Sequence, residues 1–175
     1  MAEWNIDPDH SVAAFAIRHM MVCDVHGQFN RITGKVRFDP ADIPNTSINF
    51  EIDAAGIFTG IRKRDDHLRS NEFFHVEKYP KITFQSTRSE ILAFNSCKMT
   101  GDLTIHGTTK PITAEVEFFG SVKSPFDETS MGFTAKTVIN REDFGVAWNT
   151  PLENGGLMVG KDVRLFIDLE ADLIA

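Results

Sequence analysis

Apolar and polar residues alternate along much of the chain, and this period of two is typical of strands with one buried and one solvated face. In residues 47–53, for example, two isoleucines and a phenylalanine alternate with serine, asparagine and acidic residues. The pattern predicts strands over residues 28–39 (with a kink at Gly34), 47–53, 81–88, 96–106, 113–118, 131–140 and 163–170.

Two segments depart from clear alternation. Residues 11–21 contain alanines that suit a helix, but alternate residues fall on one acceptable strand face, and the neighbouring strands favour a strand here. Residues 65–74 predict the one helix, because Asp65 or Asp66 can cap its amino end and Pro80 follows a few residues after its carboxyl end.

The predicted elements form one domain over residues 1–175, since composition shifts nowhere along the chain and no internal repeat is present. Gly107 and Pro111 mark a hairpin connection over 106–111. About eight antiparallel strands and one short helix fit either a sandwich of two sheets or a closed barrel. Barrel closure removes exposed edges and leaves an interior just wide enough for side chains or one slender ligand. The period of two does not distinguish these architectures.

The charge balance argues against nucleic-acid binding. The 175 residues contain 18 Lys plus Arg and 25 Asp plus Glu, a formal net charge of −7, which repels phosphate backbones and anionic membrane surfaces. No run approaches the roughly 18 apolar residues that span a bilayer, and the first residues lack the basic and apolar segments of a signal peptide. We therefore expect a cytoplasmic protein without stable membrane insertion.

The sequence contains no local motif for metal or nucleotide chemistry. Cys23 and Cys97 stand alone and are expected to be reduced, and the six histidines show no zinc-ligand spacing. Residues 155–162 fit a P-loop up to Asp162, where that motif needs Ser or Thr, and a strand rather than a helix is predicted to follow. We predict no cofactor, no metal site and no catalytic residues.

Longer motifs occur along nearly the whole chain. Two of them are Arg-Asp-Asp-His-Leu-Arg-Ser-Asn-Glu-Phe-Phe at 64–74 and Tyr-Pro-Lys-Ile-Thr-Phe-Gln-Ser at 79–86. In these motifs and their order, the chain resembles the YceI-like family of polyisoprenoid-binding proteins. The matching segments are 4–7, 10–11, 15–19, 25–29, 64–74, 79–86, 101–111, 140–145 and 159–163.

The resemblance implies an all-β fold, an extended eight-stranded antiparallel lipocalin-like barrel with one short helix. It implies that the apolar interior binds a long-chain isoprenoid or related lipid, such as a polyprenyl or quinone-like compound, non-covalently and without catalysis. The chain would then be a carrier, storage or sequestration protein and would form a homodimer. Many relatives carry an export signal, and the first residues here lack its basic and apolar segments. The periplasmic role of those relatives is therefore not expected for this chain.

An excess of phenylalanine, 15 residues against 2 Trp and 1 Tyr, suits such an interior because these rings prefer dry surroundings. At the barrel mouth, Arg64, His67 and Arg69 are candidates for contacting a headgroup. Alternatively, the two arginines pair with neighbouring carboxylates and only anchor the helix. The predicted wall residues, expected to contact the ligand, are Phe15, Ile17, Phe29, Phe50, Phe84, Leu103, Ile105, Val116, Val163 and Leu165.

Two other functions remain open from the sequence. His67 or His19 as an acid–base group, oriented by a carboxylate such as Asp65, would make the chain a barrel-mouth enzyme acting on a bound lipid. Alternatively, side chains fill the barrel, and the protein is a structural or stress-related dimer. Phe119 and Phe166 are predicted to face the surface, where they would suit a dimer contact.

Overall fold

The computed structural model describes residues 1–174, which form mainly antiparallel strands. No helix in this part of the chain is long and apolar enough to cross a membrane. Its one α-helix is α1 (Arg62–Arg69), and 3₁₀ turns lie at Ile43–Asn45, Ala54–Gly56 and Arg141–Phe144. The strands are β1 (Ala2–Ile6), β2 (Val12–His19), β3 (Cys23–Phe29), β4 (Ile32–Phe38), β5 (Ser47–Asp53), β6 (Ile57–Phe58), β7 (Lys81–Ala93), β8 (Ser96–Ile105), β9 (Thr108–Phe118), β10 (Val122–Lys123), β11 (Thr129–Asn140) and β12 (Val159–Leu173).

Eight strands close into a barrel. They follow the order β1, β4, β5, β7, β8, β9, β11 and β12, and β12 pairs with β1 to complete the ring. All of these pairings are antiparallel. The structure confirms the predicted eight-stranded barrel with one short helix and excludes the sandwich of two sheets.

Strand β12 is the seam of the barrel because it has three partners. One edge pairs with β11 over residues 162–172. The opposite edge pairs first with β2, over 159–168, and then with β1, over 171–173. Strands β2, β3 and β6 continue outward from the first of these segments as a side branch. Since α1 follows β6, the branch brings the helix to this end of the barrel.

Two predicted element boundaries are wrong for local reasons. The strand predicted over 28–39 is divided into β3 and β4, because Arg31 adopts a left-handed φ of 60° and the chain turns there. The helix predicted over 65–74 begins and ends earlier, as α1. Neither predicted aspartate caps it; the Asp65 carboxylate instead accepts a hydrogen bond from the Thr59 backbone N–H at 2.9 Å.

Other local predictions are confirmed. The ambiguous segment 11–21 contains strand β2. The hairpin predicted over 106–111 is present, although its turn is only His106 and Gly107, with left-handed φ values of 52° and 72°. Adjacent left-handed residues give the twist that joins two antiparallel strands tightly. Residues 155–158 lead into β12, which begins at Val159, so a strand follows this segment where a P-loop needs a helix.

Two aromatic rings lie against glycines, one on the side-branch strand β3 and one on the barrel strand β8. A β-carbon at Gly27 would lie 2.3 Å from Cζ of Phe15, and one at Gly101 would lie 2.4 Å from Cζ of Phe84. Real β-carbons do not approach other atoms so closely, so each ring occupies space that only glycine leaves free. These glycines let bulky rings stay close to the wall.

We predict that Gly101→Ala lowers the free energy of unfolding by about 1–3 kcal/mol, because the added methyl group collides with Phe84 and with the Gln85 carbonyl oxygen. Urea denaturation measures the change. Gly120→Ala is the matched control, since nothing lies within 4 Å of a β-carbon there, and its effect should stay within about 0.5 kcal/mol. Equal effects of the two substitutions would contradict the packing argument.

Candidate functional site

Two apolar cavities lie inside the barrel. The larger has a volume of about 140 Å³, and every residue of its wall is apolar except Arg141. The smaller has a volume of about 50 Å³ and is also apolar apart from Thr134 and Thr137. The side chains therefore do not fill the interior, whereas the structural-dimer alternative requires that they do.

The cavities follow one another along the barrel axis. Successive inward residues of β5 show this order: Ile52 lines the larger cavity, Phe50 lines both, and Ile48 lines the smaller one. Strand β12 shows the same order: Val163 lines the larger cavity, Leu165 lines both, and residue 169 lines the smaller one. The two cavities are thus compartments of one apolar channel. The side chains that border both compartments are Phe50, Leu103, Leu165 and Ile167.

All ten predicted wall residues border this channel. Phe84 and Val116 line the smaller compartment only. The periodicity thus placed these side chains on the inner face, and their contact with a ligand stays a prediction. The remaining eight, which line the larger compartment, are Phe15, Ile17, Phe29, Phe50, Leu103, Ile105, Val163 and Leu165.

The two ends of the channel differ. Beyond the smaller compartment, the ring of Phe38 packs against Phe118 and Phe133 at centroid distances of 4.7 and 5.5 Å, and all three are buried. This cluster closes the barrel with apolar rings. At the other end, the larger compartment borders Phe73, just after α1, and Phe144 in the last 3₁₀ turn. These connecting segments, not strands, form the roof.

Arg141 is the charged residue of the channel wall. Its side chain is 6% exposed, and its guanidinium donates hydrogen bonds to backbone carbonyls of Gly160 (2.8 Å) and Val146 (2.6 Å). Burial lowers the pKa of the guanidinium, and the nearby Glu142 carboxylate opposes that shift. The hydrogen bonds join the roof to the start of β12. The sequence gives no signal for this role, because only the folded turn brings these carbonyls together.

The headgroup candidates on α1 are held by other contacts. Arg64 donates to the Thr59 carbonyl at 2.8 Å, and Arg69 donates to the Ala55 and Ile57 carbonyls, each at 2.8 Å. Arg69 also pairs with Asp66 at 3.1 Å. These contacts tie both arginines to segments that precede α1, and Arg69 pairs with a carboxylate as the alternative expects, whereas Arg64 bonds Thr59 instead. Contact of either arginine with a headgroup stays a prediction.

His67 lies one side chain away from the channel. Its imidazole hydrogen-bonds Glu72 and packs edge-on against Phe73 and Trp148, each with ring centroids 5.0 Å away. Phe73 lines the larger compartment, so its ring stands between His67 and the interior. The carboxylate that His67 contacts is Glu72 rather than Asp65, the example that the sequence suggested.

One group of side chains lies close enough to hold a metal ion among the described residues: Asp7, His10 and Glu170. It lines neither compartment. His10 hydrogen-bonds the Asp7 carboxylate at 2.6 Å, which lowers the pKa of Asp7 and raises that of His10. An ordinary ion pair accounts for this cluster.

The comparisons with known proteins agree with the barrel. A family model described as a YceI-like domain matches residues 4–171. The chain belongs to the YceI-like family. A UPF0312 protein of Staphylococcus aureus (strain N315) is 37% identical over 165 residues, 94% of each chain. The solved YceI protein of Campylobacter jejuni is 31% identical, with a TM-score of 0.76 over 90% of each chain. A polyisoprenoid binding domain from Saccharophagus degradans has the same fold, with a TM-score of 0.72 over 99% of this chain and 100% of that domain, at 13% identity.

In this YceI-like chain, we predict that Arg141→Met lowers the free energy of unfolding by about 2–4 kcal/mol. The substitution removes buried hydrogen bonds from a charged donor and leaves carbonyls without partners. Arg37→Met is the control, since Arg37 is exposed and lies 3.7 Å from Glu3; its loss should be about 0–1 kcal/mol. Chemical denaturation of both variants measures the difference, and similar losses would contradict the structural role of Arg141.

We predict that His106 titrates below its usual pKa of 6.5, because burial disfavours its charged form and His75 and Lys78 add repulsion. The unfolded chain binds a proton at higher pH than the folded chain, so this residue's stability contribution is present above pH 6.5 and is lost as pH falls towards the folded pKa. Nuclear magnetic resonance titration of the imidazoles measures this. His10 is an internal control with the opposite shift; a His106 midpoint at or above 6.5 would contradict the prediction.

Proposed function

We propose that this protein binds a long-chain isoprenoid or related lipid non-covalently inside its barrel, as a carrier, storage or sequestration protein. The observation that carries the proposal is the axial channel, whose larger compartment has one polar wall residue, Arg141. The guanidinium of that residue is hydrogen-bonded to the backbone. Such a wall favours hydrocarbon over any polar ligand, because polar groups buried there would lack partners.

Relatives support the same ligand class. The Saccharophagus degradans domain that shares this fold is described as polyisoprenoid binding. Membership of the YceI-like family extends over residues 4–171, so it includes every strand that lines the channel. Our proposal concerns the hydrocarbon tail of the lipid.

Energetics favour a tail of several isoprene units. A cavity of about 150 Å³ takes a molecule the size of benzene, so the larger compartment, about 140 Å³, holds about one five-carbon unit. Burial of one unit contributes up to about 4 kcal/mol, whereas association costs about 4–15 kcal/mol. Useful affinity therefore requires the tail to extend beyond the larger compartment.

We further propose that the protein performs no chemistry on the lipid. His67 is bound to Glu72 and is separated from the channel by Phe73, while Asp65 bonds Thr59. An acid–base group has to reach the reacting atoms directly or through one water molecule. The homodimer also stays a prediction; Phe119 and Phe166 are 49% and 41% exposed, as a contact surface requires.

The proposal predicts that gently purified protein carries an isoprenoid lipid, detected by organic extraction and mass spectrometry, or binds added polyprenol. Val163→Phe should reduce binding at least about tenfold, because Val163 lines the larger compartment and the added ring takes the tail's space. Val138→Phe is the matched control, since Val138 is 59% exposed and lines neither compartment. Absence of lipid in purified protein together with no response to added polyprenol would contradict the proposed function.

A further inference from the structure

A row of apolar side chains crosses the channel between its two compartments. Phe50 on β5 is directly opposite Phe84 on β7, and Phe84 is directly opposite Leu103 on β8. Leu165 projects from β12 and, like Phe50 and Leu103, borders both compartments. The row therefore lies at one level of the barrel and divides the channel transversely.

The aromatic members of this row have different freedom. The ring of Phe84 occupies the space beside Gly101 that a β-carbon would fill, so it is held against the wall. Phe50 stacks on Phe84 with ring centroids 5.4 Å apart and an interplanar angle of 27°. Phe50 is half-buried and faces both compartments, whereas Phe84 is 8% exposed and faces only the smaller one. Movement of Phe50 can therefore join the compartments while Phe84 stays in place.

We propose that Phe50, supported by Leu103, is a displaceable partition that sets how affinity depends on tail length. The inference rests on the proposed function and goes beyond it by assigning length selection to one level of the barrel. A tail that ends in the larger compartment leaves the partition closed. The isoprene unit that meets Phe50 has to displace its ring and so adds less affinity than the unit before it. A tail that has passed Phe50 enters the smaller compartment, which ends at the rings of Phe38, Phe118 and Phe133.

The test measures binding of prenol, geraniol, farnesol, geranylgeraniol and geranylfarnesol, each one isoprene unit longer than the one before, to the full-length chain by native mass spectrometry with equimolar mixtures. Since the larger compartment, about 140 Å³, holds about one unit, the series includes tails that end before Phe50 and tails that pass it. In wild-type protein we expect one chain length, called the step, at which the added isoprene unit raises occupancy less than the unit before it did. In Phe50→Ala that step should move to a tail longer by about one unit, because the removed ring has about the volume of one unit.

Phe94→Ala is the matched control. It removes the same atoms from a residue that is 96% exposed and lines neither compartment, so the step should stay at the wild-type length. Thermal melting monitored by circular dichroism checks that each variant folds. If Phe50→Ala does not fold, Leu103→Ala tests the same level of the barrel and should move the step in the same direction.

The outcomes separate the two proposals. Wild-type protein that binds prenols with a constant gain per unit, or an identical step in wild type and in a folded partition variant, overturns the partition while the proposed function stands. A shift in Phe94→Ala as large as that in Phe50→Ala also overturns it. Wild-type protein that binds none of these prenols and no longer polyprenol overturns the proposed function and the partition with it.

Discussion

Closure of the sheet through β12 is the constraint on which the rest of the molecule depends. The strand supplies hydrogen bonds to β11 along one edge and to β2 and β1 in succession along the other. Eight strands are just sufficient to leave a narrow interior once they close. Closure therefore gives each of the eight ring strands a neighbour on both sides and creates the channel at the same time. At the end where β2 replaces β1 as the partner of β12, α1 and the last 3₁₀ turn form the roof in place of strands.

Filling the channel would stabilise the folded chain. Apolar contacts that fill a protein cavity are worth about 24 cal/mol per Å³, so a ligand in the larger compartment of about 140 Å³ would contribute up to about 3 kcal/mol. That is a substantial fraction of the stability of a typical domain. Phe15 and Phe84 leave this space to a ligand, because Gly27 and Gly101 let their rings lie close to the sheet. A ligand that fills this space regains contacts that the protein alone leaves unmade, which links stability to occupancy.

The sequence predicts the inner face of the barrel well because a strand has only two faces. Once the alternation of β5 or β12 is recognised, residues such as Phe50 and Leu165 can point only inward or outward, and the family resemblance selects the closed barrel. Boundaries are less predictable, since a single left-handed residue, Arg31, divides a continuous apolar pattern into two strands. The helix boundary is hard to predict for a similar reason. The Asp65 carboxylate accepts a hydrogen bond from the Thr59 backbone N–H and does not cap the helix terminus.

The role of Arg141 shows what periodicity cannot reveal. An arginine after an asparagine, before two acidic residues, is typical of a solvated turn, and its neighbour Glu142 does pair with Lys161 at 3.1 Å. Arg141 instead points inward, where carbonyls of Gly160 and Val146 accept its hydrogen bonds. Those carbonyls are distant in sequence from one another and converge only when the roof folds against the start of β12. A buried guanidinium with its donors directed at the backbone holds irregular segments together, and this leaves apolar side chains to form the rest of the channel wall.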